Sequence, residues 1–153
     1  MKHKVILTEK NFSKLKEEVK KLKSENKEII FSSSDDDLNR KVLEKLDINI
    51  LLINLSNRKD YQKQRNSGFN QVLAKLAKKR NITIGINLDE LIEEKSLKTK
   101  SELLARIRQN IFICNKNKLK MTFITQKQKN KRNSIELKSL GLSLGMPTWM
   151  LVV

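Results

Sequence analysis

Residues 68–88 read GFNQVLAKLAKKRNITIGINL, and this stretch decides the fold. Its first half is helical by spacing. Val72, Leu73, Leu76 and Ala77 recur on one face, with Lys75, Lys78, Lys79 and Arg80 on the other. Asn81 breaks the pattern. Ile82, Thr83, Ile84 and Ile86 follow, β-branched side chains suited to a pleated strand. A helix feeding a buried strand is one half of a βα repeat, and the rest of the chain continues it.

Upstream, residues 5–8 form a short apolar strand, and Phe12, Leu15, Val19 and Leu22 mark a helix face. Residues 28–33 make a second strand. Ser34 has the character of an N-cap, with Asp35, Asp36 and Asp37 in the first turn to complement the helix dipole. Leu38, Val42 and Leu46 continue that helix. The most apolar strand, 48–55, has the near-continuous hydrophobicity of a strand buried on both faces. A polar loop, 56–67, holds one aromatic residue, Tyr61.

Downstream of Leu88, Leu91 and Ile92 fit a short helical turn. Thr99 and Glu102 have capping-box spacing ahead of a long helix with Leu104, Ile107, Ile111 and Cys114 as its inward seam. Residues 120–125 are a fifth strand and 126–132 a basic loop. A helix over 134–144 closes at Gly145, and 149–153 can make a sixth strand. Phe12, Phe31, Phe69, Phe112 and Phe123 fall at core positions by periodicity. The alternation predicts a parallel α/β sheet with right-handed crossovers in a single domain, residues 1–153. Patterning alone does not separate an open doubly wound sheet from part of a barrel.

Charge narrows the function. The chain has 33 Lys and Arg against 17 Asp and Glu, a formal net charge of +16. A general lysine bias would raise acidic residues as well, so the imbalance favours a polyanionic partner, nucleic acid above all. No apolar run approaches the ~20 residues of a membrane-spanning helix. One cysteine, Cys114, cannot form an internal disulfide, which suits a reducing cytoplasm. It sits at a helical core spacing and is expected to be a small buried hydrophobe.

Catalytic sets are missing. The only histidine is His3, which excludes a multi-histidine metal centre and the Ser-His-Asp and Cys-His arrangements. Asp35, Asp36 and Asp37 have oxygens suited to Mg²⁺, but as first-turn charges they need no metal. Asp89, Glu90, Glu93 and Glu94 are expected to be a solvated helix start. The four glycines, Gly68, Gly85, Gly141 and Gly145, match neither a phosphate loop nor a dinucleotide fingerprint.

The basic loops are the candidate site. Arg58, Lys59, Lys63 and Arg65 follow one strand. Lys127, Lys129, Lys131 and Arg132 follow another, alternating with Gln128 and Asn130. In a parallel sheet both loops emerge at the same end, which would make one electropositive face. With the aromatics assigned to the core, stacking platforms are scarce, so recognition would be of phosphates and RNA shape rather than of splayed bases.

Three segments also resemble, in order, a known family. They are Asn57-Arg58-Lys59-Asp60 after the third strand, the 68–88 stretch, and LKSLGLSLGM at 137–146. They are similar to the "N-R-K-D", "G-[FI]-[ND]-x-V-L-A-K-[LI]" and "L-[IR]-[SA]-[LF]-G-x-x-[IL]-G-M" segments of RNase P protein component 3, the archaeal and eukaryotic subunit with a TIM-barrel-like fold. Two departures stand out. Asp89-Glu90 follow a turn after which the family often has Arg, and Asn133-Ser134-Ile135-Glu136 replace its "P-R-D". The resemblance implies a reduced or incomplete TIM-barrel-like parallel barrel of about six strands, lacking a leading βα portion. Its implied role is a noncatalytic subunit of ribonuclease P, whose RNA removes the 5′ leader of precursor tRNA. Implied partners are the ribonuclease P RNA, protein component 2 and precursor tRNA, with no membrane. No cofactor is expected on the protein, and Mg²⁺ is expected on the partner RNA. Two other readings stay open: a metal-dependent phosphoesterase-like barrel enzyme, and a basic RNA-binding subunit of another ribonucleoprotein.

Overall fold

A computed structural model describes residues 2–151. Strands β1 (Lys4–Leu7), β2 (Glu28–Ser33), β3 (Ile50–Ile53), β4 (Thr83–Asn87) and β5 (Met121–Ile124) form one sheet. Every neighbouring pair is parallel, and the spatial order follows the chain, β1-β2-β3-β4-β5. A doubly wound sheet reverses its strand order at a switch point. This sheet does not, so it has the progression of a TIM-type barrel, reduced to five strands.

Helices α1 (Phe12–Ser24), α2 (Asp36–Lys45), α3 (Gln71–Lys79), α4 (Leu88–Glu93), α5 (Leu97–Lys116) and α6 (Ser134–Leu144) fill the connections and the C-terminal side. The two faces of the sheet differ. Leu7, Ile29, Phe31, Leu51, Ile53, Ile84, Ile86 and Met121 pack against helix residues such as Leu15, Val42, Ala77 and Ile107. Alternate strand residues Ile30, Ile50, Leu52 and Ile124, with Ile6 against them, form a separate cluster that contains no helix residue. These are nevertheless buried, packed on one another across neighbouring strands. Gly85 permits that close packing. A Cβ there would meet Ile50 and Ile124 side-chain carbons at 3.1 Å and Leu52 at 3.2 Å.

Local chemistry sets the helix ends. Asn11, Asp35, Asn70, Asn87, Ser96 and Asn133 are N-caps whose side-chain oxygens accept backbone N–H groups of the first turn. Asp35 thus takes the role expected of Ser34. The long helix starts two residues before Thr99, because the Ser96 hydroxyl already accepts the Thr99 N–H. The reciprocal capping box belongs instead to Asn133 and Glu136. Gly145 ends α6 at φ +99°, as the spacing predicts.

Three helix-to-strand turns are the same motif. Lys27, Ile82 and Leu119 donate their N–H to Leu22, Ala77 and Cys114 carbonyls, and Asn26, Asn81 and Lys118 occupy the left-handed region at φ 55°, 55° and 53°. These are Schellman turns, which satisfy helix carbonyls and reverse the chain at once.

Three expectations are corrected. The segment expected as a sixth strand is a 3-10 turn, Thr148–Leu151, with Val152 and Val153 outside the described residues. Pro147 seeds it, its carbonyl accepting the Met150 N–H at 3.0 Å. Phe112 is exposed rather than in the core, since Ile111 points inward and the next helical residue is rotated by about 100°. Val72 is exposed for the same reason beside buried Leu73. Cys114, as expected, is fully buried, and burial pushes its thiol up to about 12.

Candidate nucleic-acid interface

The loop after β3 is held by arginines. Asn57 adopts φ +58°, which turns the chain after the strand. Arg58 then folds back. Its Nε donates to the Asn54 carbonyl at 2.7 Å, and its two terminal nitrogens donate to both oxygens of Asp36 at 2.8 and 2.9 Å. This is the bidentate fork that suits guanidinium to carboxylate. The Arg58 side chain is only 8% exposed. Gly68, at φ +67°, lies flat against it, and a Cβ there would sit 2.4 Å from Arg58 Nη2. The Asn57–Asp60 and Gly68–Asn70 segments, about ten residues apart in the chain, are therefore two halves of one structural unit.

Arg106 of α5 completes that unit from below. It is almost wholly buried and donates to the carbonyls of Leu55 (3.2 Å) and Arg58 (2.9 Å) and to Asp60 Oδ1 (3.1 Å). Asp60 Oδ1 also accepts the Asn66 N–H at 2.8 Å. That backbone bond, then Arg106 and Arg65, holds the Asp60 carboxyl below its ordinary range. Gln109 and Asn110, also on α5, donate to Arg65 and Ser67 in the same loop.

The loop after β5 is organised by α4. Asp89 is buried and accepts the Gln126 N–H and the Asn130 side-chain amide, both at 2.8 Å. Glu90 accepts the N–H groups of Leu55 (2.9 Å) and Ser56 (3.3 Å). These two residues, expected to be solvated, instead clamp the two flanking loops. Their carboxylates supply the acceptors that irregular backbone otherwise lacks. Glu93 pairs with Lys127 at 2.5 Å and Lys129 at 3.1 Å. The hydrogen bonds from those lysines lower its carboxyl to about 2. Lys127 is raised in return, chiefly by the same bond.

Both basic loops leave the C-terminal ends of parallel strands, so they share one end of the fold. The end is not uniformly positive. Arg58 is engaged by Asp36, Arg65 by Asp60, and Lys127 and Lys129 by Glu93. Lys59, Lys63, Lys131 and Arg132 are exposed and make no ion pair among the described residues. Sequence reasoning missed Asp36, Asp89 and Arg106 as the organisers of this end. Arg106 had a signal, since with Asn110 it stands among the apolar residues Leu103, Ile107, Ile111 and Cys114 of the inward seam.

Between the loops, the strand ends form a shallow mouth of about 560 Å³, lined by Thr8, Lys10, Ser32, Asn54 and Gln126 among others. Asn87 donates to Asn54 at 3.1 Å, and Asn54 donates to the Ser32 hydroxyl at 3.0 Å. Neutral amides and a hydroxyl thus bridge the strand ends where barrel enzymes carry their reactive groups, and Lys10 and Asp35 are the charged residues of the lining. Among the described residues, no three His, Cys, Asp or Glu side chains group so as to hold a metal ion. No described helix is long and apolar enough to cross a membrane.

No family model and no curated protein matches this sequence. Its structure does match a protein chain in a cryo-EM structure of archaeal ribonuclease P with mature tRNA, at TM-score 0.79 and 23% identity. The match covers 96% of this chain and 62% of that one, so the present chain spans under two thirds of the length of the protein it resembles. Nearly the whole chain, with its sequentially ordered parallel strands and its strapped loops, therefore adopts the fold of a protein chain of archaeal ribonuclease P.

Proposed function

We propose that this chain is a protein subunit of an archaeal-type ribonuclease P, assisting the RNA that removes the 5′ leader of precursor tRNA. The observation that carries this reading is the agreement over 96% of the chain with a protein chain of that ribonucleoprotein. The net charge of +16 gives the polyanion affinity such a role needs. The subunit neutralises and positions RNA, and Mg²⁺ acts on the RNA rather than on the protein. Protein component 2 is its partner, and the cytoplasm its compartment. At the loop end, Lys59, Lys63, Lys131 and Arg132 are the cations open to phosphates. Arg65, Lys127 and Lys129 contribute where a phosphate displaces their carboxylate partners, and Arg58 acts by shaping the loop.

Reconstitution tests the reading. Added to its cognate ribonuclease P RNA at limiting Mg²⁺, the chain should raise cleavage of precursor tRNA, most strongly with component 2 present. The chain alone should leave the substrate intact. Failure to stimulate the RNA under any protein combination overturns the proposal. So does metal-dependent cleavage by RNA-free protein that persists after contaminating nucleases are removed.

A further inference from the structure

The fold sorts charge by end. The helices that return the chain to the sheet, α1, α2, α3 and α5, run antiparallel to the strands, so their N-termini lie at the C-terminal ends of the strands and their C-termini at the N-terminal ends, while short α4 stays at the loop end. Acidic residues favour the first and lysines the second. Accordingly Asp35, Asp36, Asp37, Asp89 and Glu90 gather at the loop end, where Glu93 at the end of α4 joins them in offsetting the basic loops. The opposite rim is offset only in part, by Glu25, Glu28, Glu44 and Asp47 against a larger number of lysines. The α1–β2 turn holds Lys20, Lys21, Lys23 and Lys27 against two acids, Glu25 paired to Lys27 and Glu28 paired to Lys4. The α3–β4 turn holds Lys78, Lys79 and Arg80, and the α5–β5 turn holds Lys116, Lys118 and Lys120, with no acid in either.

These turns form a continuous row. Lys23 and Arg80 share Asp47, which joins the α1, α2 and α3 ends. Lys78 Nζ donates to the Lys118 carbonyl at 2.7 Å, which joins the α3 and α5 ends. All three turns are Schellman motifs, so the lysines sit on rigid, hydrogen-bonded corners rather than on mobile loops. None of the large exposed hydrophobics lies in these turns. Trp149, near Lys118, is half-buried and donates to Asn115.

We propose that this rim is a second phosphate-binding surface, opposite the loop end, fitted to the backbone of a double-helical RNA. Unbalanced cations without stacking rings suit a duplex, whose bases are closed and whose phosphates lie along its outside. That the polyanion is RNA rests on the functional reading above; the surface itself rests on the charge sorting.

The test uses a variant that leaves the hydrogen bonds and ion pairs of the rim in place. Lys20, Lys21, Lys79, Lys116 and Lys120 are exposed and their side chains make no hydrogen bond or ion pair among the described residues. The quintuple variant K20Q/K21Q/K79Q/K116Q/K120Q should fold, because isolated surface changes rarely matter to stability. The probe is a generic RNA duplex of about twenty base pairs, somewhat longer than the ~16 that a shape-reading domain covers. At about 0.1 M salt its affinity should fall at least about ten-fold, and the log–log salt slope should flatten by about one unit for each phosphate the variant no longer neutralises. Arginine at the same five positions should restore binding. The loop variant K59Q/K63Q/K131Q/R132Q should weaken binding less. Parent-like binding by the glutamine variant, or no rescue by arginine, overturns the proposal. Should the variant unfold, lysine acetylation of the parent decides: the duplex must protect Lys79 and Lys116, and equal labelling with and without it refutes the surface. The two readings fail separately. Loss of duplex binding in the variant, with a parent that never stimulates ribonuclease P RNA, supports the rim and refutes the ribonuclease P role. Stimulation by the parent with parent-like duplex binding by the variant refutes the rim alone.

Discussion

Arg106 reaches across forty-six positions of sequence to Asp60, 3.1 Å from Nη2 to Oδ1, and in doing so closes the loop that carries half of the candidate RNA-binding residues. The guanidinium is buried under that loop and also donates to two of its backbone carbonyls. A surface loop of this length ordinarily satisfies its backbone with water. Here an arginine from a neighbouring helix does it, so the basic side chains project from a fixed frame.

Arg106→Ala should therefore destabilise the fold by about 2 to 4 kcal/mol, since it orphans buried carbonyls and leaves a void. Asp60→Asn should be milder, because Asp60 is partly exposed. Urea unfolding measures both. Limited proteolysis of R106A should cut first within residues 56–67, and cleavage elsewhere would argue against the strap.

Gly68 and Arg58 make a coupled pair. Gly68→Ala places a Cβ into the Arg58 guanidinium and forces an alanine to φ +67°, at a cost of about 1 to 3 kcal/mol. Removing Arg58 as well removes the clash but not the backbone strain. Gly68→Ala should thus cost measurably less in an Arg58→Ala background than in the parent. Strictly additive stabilities would mean that the two do not touch in solution.

Glu93 gives the loop end an acid sensitivity. Its carboxyl lies at about 2 rather than the ordinary 4.5, held down first by its hydrogen bonds to Lys127 and Lys129. A depressed folded value means that its stabilising contribution is present above 4.5 and is lost as pH falls from there towards about 2. In K127Q/K129Q the carboxyl should titrate close to 4.5, and that part of the acid destabilisation should vanish. A carboxyl NMR titration of Glu93 checks it, and an unchanged value in the double variant would show that the lysines are not its partners. On the proposed role, RNA phosphates would compete with Glu93 for the same two ammonium groups.

Local sequence determined much of this protein. The β-branched run 82–86 and the helical spacing of Leu73, Leu76 and Ala77 fold as read, because period and side-chain shape act on the backbone within a few residues. Gly145, Ser134 and Leu144 bound α6 as read for the same reason. Net charge was equally legible, being a sum that needs no coordinates. Only the tertiary structure decided which charges are free. Arg58, Lys59, Lys63 and Arg65 look alike in a basic loop, yet Asp36, twenty-two positions earlier in the chain, takes Arg58 out of solvent. Asp89 and Glu90 read as a solvated helix start, and folding turns them into clamps on loops that no local pattern connects to them. The sequential strand order belongs to the same class, since it depends on which strands pair across long separations. It also sends the C-termini of α1, α2, α3 and α5 to one rim, and so concentrates there lysines that sequence alone spreads along the chain.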